Sequence, residues 1–367
     1  MLPDRQSLTT ARRIVVKVGT AVVTRDDGHL ALGRLGHLVE QLHALRAECR
    51  EVLLVSSGAV GLGAEVLGID RRRATVVDLQ ACAAAGQGRL MSLYDSLFGR
   101  LGIACAQVLL TEVDFHHRSR HVHLAATLQR LLALGAVPVI NENDAVSTEE
   151  LVFARGEVFA DNDRLAALVA GALGADALIL LSNVDGVLTA PPGEPGAERV
   201  SVWSGQDVTL GGRSSVGRGG MVAKIEAARV GARSGVATVI AHGGRPGVLG
   251  SILSGDDVGT VFPAATGQRA RHAWLAFATV PEGRIEVDEG AREAVVARKA
   301  SLLPIGVQEV VGTFEAGAVV SLVHAGEEFA RGVCTLSAAE ADAARLARGR
   351  SKALVHRDNL VLLTEDA

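Results

Sequence analysis

Asn141-Glu142-Asn143-Asp144 closes a short apolar run, Val137-Pro138-Val139-Ile140. A run of that kind reads as a buried strand. A segment of carboxylates and amides at its end predicts a polar site, because ligands of open α/β sheets bind outside the carboxyl ends of strands. The acceptors of this segment suit an ammonium group and point to an amino acid as ligand. The plainer reading is a polar turn, since Asn and Asp favour turns by themselves. A second polar cluster, Asp161-Asn162-Asp163, follows within about one loop.

Two lysines stand in unusual settings. Lys17 lies inside the β-branched run Arg13 to Val18, just before Gly19-Thr20. A buried strand lysine is costly unless it is paired or binds an anion; the other reading is an edge or surface position. Lys224 ends the stretch Gly217-Arg218-Gly219-Gly220-Met221-Val222-Ala223-Lys224, which runs into a helical pattern. Glycines there let backbone N–H groups approach an anion, and a helix N-terminus favours negative charge. A lysine in the first turn opposes the helix dipole and fits better with a phosphate nearby. The stretch is not a P-loop, because the lysine does not follow the second glycine and no Ser or Thr comes next. The other reading is a flexible surface loop. Gly19-Thr20 and Ser57-Gly58 add possible donors at the ends of two apolar runs. Two lysines, several glycine turns and no evident base suit phosphoryl transfer, which depends on positioning and charge neutralisation.

The elements that must hold these residues alternate. Strands are predicted at Arg13 to Val18, Val52 to Val55, Ile103 to Leu110, Val137 to Ile140, Ala177 to Leu181 and Thr238 to Ala241. Helical spacing is read at Leu32 to Cys49, Leu79 to Phe98, Leu124 to Leu134, Leu165 to Leu173 and Met221 to Arg233. That alternation predicts an α/β fold, a mostly parallel sheet sandwiched by helices. Pro191 to Gly196 reads as a surface loop and Pro263 to Gln268 as a linker. Beyond it, short alternating stretches (Gly283 to Val287, Val307 to Val311, Ala318 to Val323, Leu360 to Leu363) predict a small, mainly β domain. The expected division is 1–262, a linker at 263–278, and 279–367.

At 367 residues with 48% hydrophobic content and mean hydropathy +0.27, two domains with ample cores are expected. Aromatics are only 3%, so aliphatic side chains must fill those cores. The net charge of −4 offers no general attraction to nucleic acid or anionic membrane. Cys49, Cys82, Cys105 and Cys334 are far apart, and no C-x-x-C or H-E-x-x-H occurs, so no metal site is expected. The first three cysteines sit in apolar contexts and are expected to be buried thiols. The polar N-terminus lacks an apolar signal stretch, and no run of 18 apolar residues exists, so the chain reads as cytoplasmic.

Taken in order, Val16-Lys17-Val18-Gly19-Thr20, Ser56-Ser57-Gly58-Ala59, Asn141 to Val146, Asp161-Asn162-Asp163 and Gly219-Gly220-Met221 with Lys224 resemble the bacterial glutamate 5-kinases, within the amino-acid kinase family. Ile285 to Ala291 with Ser301 to Gly306 resembles the PUA domain appended to them. The resemblance implies an amino-acid kinase fold followed by a PUA domain. It implies ATP-dependent phosphorylation of the γ-carboxylate of L-glutamate, the first step of proline synthesis, with Mg²⁺ held mainly by the nucleotide. Carried over by position, Lys17 and Lys224 would contact the ATP phosphates and Asp163 would orient both. Ser57, Asp144 and Asn162 would bind glutamate. Gly19, Ser182, Asn183 and the segment Arg218, Gly219, Gly220, Met221, Val222 and Ala223 would lie against the nucleotide. The family more often has Thr-Asp where this chain has Ser182-Asn183, and commonly Thr at positions 218 and 223. Proline as feedback inhibitor and a homo-oligomer are further implications. Two other readings compete: a kinase of aspartate, acetylglutamate or carbamate, and an RNA-binding protein, since PUA domains often bind RNA. The PUA-like tail and the Asn-Glu-Asn-Asp-Ala-Val string argue against the first. An excess of carboxylates over cations in residues 271–367 argues against the second.

Overall fold

The computed structural model of the chain describes residues 3–25, 29–111, 113–116, 118–146, 162–191, 194, 196–205, 220–265, 281–347 and 352–363. It divides into two compact units, Met1–Glu112 with Ala125–Ala265, and Val113–Leu124 with Thr266–Ala367.

Seven strands form the sheet of the first unit: β1 (Arg13–Val18), β2 (Glu51–Ser56), β3 (Cys105–Leu110), β4 (Val137–Glu142), β5 (Ala177–Ser182), β6 (Ala237–His242) and β7 (Thr260–Phe262). Their spatial order is β3-β4-β2-β1-β5-β6-β7. Every neighbouring pair is parallel except the last, where β7 runs antiparallel to β6. The strands are near-continuous apolar runs because both faces of a parallel sheet are covered. All six residues of β5 are buried.

Period-two alternation sorts β1 between those faces. Ile14, Val16 and Val18 join Leu35, Leu38 and Leu42 of the helix Leu32–Ala47 in one apolar cluster. Val15 and Lys17 therefore face the other way, toward the layer of the helix Asn162–Leu173, which packs on β1 and β5. The helix Met221–Arg233 packs beside it on β6. The chain builds β2 on one side of β1 and later returns to place β5 on the other. The carboxyl ends of β2, β1 and β5 thus flank the point where the winding reverses, the position where open α/β sheets hold ligands.

The sequence predicts one helix in this stretch, Leu79 to Phe98, where the structure has two in a tight pair. Ala59–Leu67 follows β2 directly, and Val76–Gly99 crosses it. A Cβ on Gly63 would sit 1.7 Å from the carbonyl oxygen of Cys82, and one on Gly86 would sit 1.9 Å from that of Ala59. Only glycine lets the two backbones meet so closely. The Val76–Gly99 helix begins with a reciprocal cap between Thr75 and Asp78.

The second unit holds a five-stranded sheet in the order β12-β11-β10-β8-β9 (Val355–Leu362, Glu327–Cys334, Val319–His324, Gly283–Val287, Val307–Gly312). Its pairs are antiparallel apart from β8 with β10. Ile285, Val287, Leu322, Phe329 and Leu354 form a separate core there.

Several sequence expectations are corrected. β4 does not stop at Ile140 but continues through Asn141 and Glu142. Asn141 is 2% exposed, so a residue expected at a polar site's surface is built into the sheet. β11 was not expected, since its first residues are charged and Gly332 interrupts its pattern. Cys49 is exposed, whereas Cys82 and Cys334 are buried and Cys105 is half-buried; all four are free thiols.

Candidate active site

One carboxylate gathers both lysines. Lys17 Nζ lies 2.6 Å from Asp163 Oδ1, and Lys224 Nζ lies 2.6 Å from Asp163 Oδ2. Lys17 reaches the site because it points to the helix-covered face near the carboxyl end of β1. Asp163 stands in the first turn of the helix Asn162–Leu173, where negative charge is favourable. Lys224 comes from the first turn of the helix Met221–Arg233. The three residues are 2%, 1% and 9% exposed. Charges this dry persist only when paired and hydrogen-bonded. Lys224 is also a first-turn cation against its own helix dipole, so the Asp163 carboxylate offsets an intrinsic penalty.

The neighbouring residue turns to a different partner. Asn162 Nδ2 donates to Ser57 Oγ at 3.1 Å. The other end of that amide, Asn162 Oδ1, is buried without a hydrogen-bond partner among the described residues. Buried acceptors are rarely left so, and the cost falls when a donor arrives. An ammonium or amide group of a ligand beside Ser57 supplies such a donor. Ser57 precedes Gly58, which has φ 111° and opens the helix Ala59–Leu67. A Cβ on Gly58 would also meet Val23 Cγ2 at 2.9 Å, so both shape and backbone require glycine.

Asp144 is 9% exposed, two residues beyond β4. Its turn is tied by Asn143 N–H to Leu110 O at 2.8 Å and Val146 N–H to Asn143 O at 3.1 Å. Both ends of the Asn141 amide are engaged: Nδ2 donates to Gln87 Oε1 at 2.8 Å, and Oδ1 accepts from Glu142 N–H at 2.9 Å. Ser56 Oγ lies 2.8 Å from the buried Tyr94 hydroxyl. Burial raises the Tyr94 phenol well above its ordinary range, so it remains a neutral partner. Sequence reading did not find Gln87 or Tyr94, because each is an ordinary residue of a long helix and gains meaning only from strands distant in sequence.

On the remaining expected positions the structure is mixed. Gly19 N–H donates to Leu181 O at 3.1 Å, so the backbone donor expected there is already engaged in joining β1 to β5. Ser182 is buried at the end of β5 and its Oγ donates to Asn183 Oδ1 at 3.3 Å, while Asn183 is exposed. Gly220 is the N-cap of the Met221–Arg233 helix and has no side chain with which to cap the first-turn N–H groups. Asp161, Arg218 and Gly219 lie outside the described residues. Among the described residues no group of three His, Cys, Asp or Glu could hold a metal ion, and no helix is long and apolar enough to cross a membrane.

Comparison with known proteins adds the lineage. Residues 12–242 match the model of the amino acid kinase family, and residues 283–357 match that of the PUA domain. A glutamate 5-kinase of Synechococcus sp. is 43% identical over 376 residues, covering 96% of this chain and 99% of that protein. One of Gloeobacter violaceus is 45% identical over 372 residues, covering 96% and 99%. One of Streptomyces coelicolor is 42% identical over 382 residues, covering 99% and 100%.

Proposed function

The chain belongs to the amino acid kinase family and carries a PUA domain, and we propose that it is an ATP-dependent glutamate 5-kinase, making L-glutamyl 5-phosphate for proline synthesis. Its relatives over nearly the full chain bear that name. The observation that carries the chemistry is the single Asp163 carboxylate holding Lys17 and Lys224 at 2.6 Å each.

Phosphoryl transfer asks for positioning and for positive charge around the transferring group. Lys17 and Lys224 converge from two elements and supply that charge in a nearly dry site, where it acts more strongly than in water. Asp163 holds both ammonium groups in place before substrate arrives, so little reorganisation is needed during the reaction. The acceptor is the glutamate side-chain carboxylate, whose ordinary pKa of about 4.3 leaves it ionised at neutral pH. No general base is therefore required. The Asn162 Oδ1 acceptor and the Asp144 carboxylate fit the substrate ammonium, and Asn162, which donates to Ser57 Oγ, adjoins the Asp163 that holds the lysines. First-turn N–H groups at Met221 to Ala223, which the Gly220 N-cap has no side chain to bond, sit on the helix that also carries Lys224 and fit the nucleotide phosphates. Mg²⁺ would be carried on those phosphates and would neutralise charge there.

Proline is proposed as a competitive inhibitor at the glutamate pocket, since it presents a similar ammonium and carboxylate. A cytoplasmic homo-oligomer is the assembly proposed. Residues 1–262 are proposed as the kinase domain and 279–367 as a regulatory or subunit-contact domain. Removing residues 271–367 is expected to leave a folded, active kinase with altered proline inhibition or size, measured by turnover and light scattering. The reading as a whole is tested by trapping acyl phosphate with hydroxylamine from glutamate, ATP and Mg²⁺. Hydroxamate formed faster from aspartate or N-acetylglutamate than from glutamate would overturn it.

A further inference from the structure

The helix Val76–Gly99 reaches two separate strand ends with two side chains. Gln87 Oε1 accepts from Asn141 Nδ2 at 2.8 Å, and Tyr94 OH pairs with Ser56 Oγ at 2.8 Å. The two residues are seven positions apart, about two helical turns, and so share one face. Immediately before Gln87, Gly86 presses against Ala59, and the Gly63–Cys82 contact closes the same crossing. The helix is thereby fixed against Ala59–Leu67, whose N-terminus begins just after Ser57. One rigid helix brace thus spans the ends of β2 and β4, on which Ser57 and Asp144 are mounted.

We propose that Gln87 is a positioning residue for the amino-acid subsite: by accepting from Asn141, it fixes the strand end and turn that present Asp144, and Tyr94 does the same for Ser57 through Ser56. The proposal rests on the amino-acid kinase reading above. Asn141 is 2% exposed, so loss of the Gln87 acceptor strands a buried amide N–H. That amide can be satisfied again only by turning away, and its Oδ1 would then release Glu142 N–H. The disturbance is confined to the glutamate side. Neither Gln87 nor Tyr94 has a hydrogen bond to Lys17, Asp163 or Lys224.

The test separates the two substrates kinetically. Gln87→Leu keeps the size of the side chain and removes the acceptor. Its KM for glutamate is expected to rise roughly five- to tenfold, the scale of one lost buried hydrogen bond. Its KM for ATP and its kcat are expected to stay within about twofold. Gln87→Glu retains the acceptor oxygen and should hold the KM for glutamate within about twofold of the parent. An unchanged KM for glutamate in Gln87→Leu overturns the proposal. Equal losses in both KM values and kcat, with no recovery in Gln87→Glu, also overturn it and leave Gln87 a packing residue. Should Gln87→Leu fail to fold, Tyr94→Phe carries the test, because it deletes one hydroxyl. A KM for glutamate raised about threefold at constant KM for ATP is expected there, and an unchanged value counts against the brace. A parent enzyme without glutamate turnover defeats the proposed function itself, whereas an active parent with an indifferent Gln87 defeats only this inference.

Discussion

Two clusters sit side by side at the carboxyl edge of one sheet and are held by opposite physics. Lys17, Asp163 and Lys224 form a charged triad in which one carboxylate binds two ammonium groups. Ser57 with Asn162, and Asn141 with Gln87, form two neutral hydrogen-bonded pairs. The two clusters meet at consecutive residues, since Asn162 serves the neutral side and Asp163 the charged side. A buried ion pair fixes its members strongly and is costly to break. A neutral hydrogen bond is worth about 1 kcal/mol and discriminates by geometry. On the proposed reading, stabilising a transferring phosphoryl group and recognising one amino acid divide along the same line.

The sharpest way to break this division is Asp163→Asn, which keeps the shape and removes the shared charge. Two buried ammonium groups would then face each other without their carboxylate. Breaking a buried pair by removing one partner costs about 3–5 kcal/mol. The midpoint of thermal unfolding is expected to fall by roughly 6–20 °C, since 1 kcal/mol corresponds to about 2–4 °C at this domain size. Because both lysines lose their anchor, kcat should fall by roughly a thousandfold, the upper end for one electrostatic element. Calorimetry and steady-state kinetics on the same preparation check both effects. An Asp163→Asn enzyme with parental stability would mean that the lysines do not depend on this carboxylate.

Lys224→Ala is milder, because Lys17 remains bound to Asp163. It should lower kcat by about a hundredfold with little change in glutamate affinity, since charge on the transferring oxygens builds along the reaction. Lys224→Arg is not expected to restore the rate, because a planar fork does not replace a point charge. A rate within about threefold of the parent would remove Lys224 from catalysis.

The sequence made the charged cluster easier to read than the neutral one. A lysine inside Ile14-Val15-Val16-Lys17-Val18 is an anomaly at the level of a single strand, and burial of that side chain requires a charged partner. The helix Met221–Arg233 was legible to the residue, because its glycine-rich approach and apolar spacing coincide. Asn141 was legible as polar but not as buried, because the strand end that encloses it depends on Gln87, 54 residues away in sequence. The helix Ala59–Leu67 stayed hidden behind its glycines, whose purpose is a close crossing with a helix that comes later. Gly19 shows the converse error, since its N–H looked available and is bound to Leu181. Local oddities are visible in a sequence; partners supplied by tertiary contact are not.

The neutral side is tested through the carboxylate mounted beside it, with an effect on KM rather than on kcat. Asp144 projects from the turn beyond β4 and is 9% exposed. A carboxylate facing a substrate ammonium forms a charge-assisted bond worth roughly 1.5–3 kcal/mol. Asp144→Ala should therefore raise the KM for glutamate roughly ten- to a hundredfold while kcat changes little, because the ammonium is remote from the reacting carboxylate and binds alike in ground and transition states. Proline, which offers the same ammonium, should lose inhibitory strength in parallel. The measurement is a pair of titrations, glutamate against rate and proline against rate, on parent and variant. Proline inhibition preserved beside a much raised KM would place the two ligands on different residues. A fall in kcat as large as that of Lys224→Ala would erase the boundary between the clusters, and Asp144 would then belong with the charged triad.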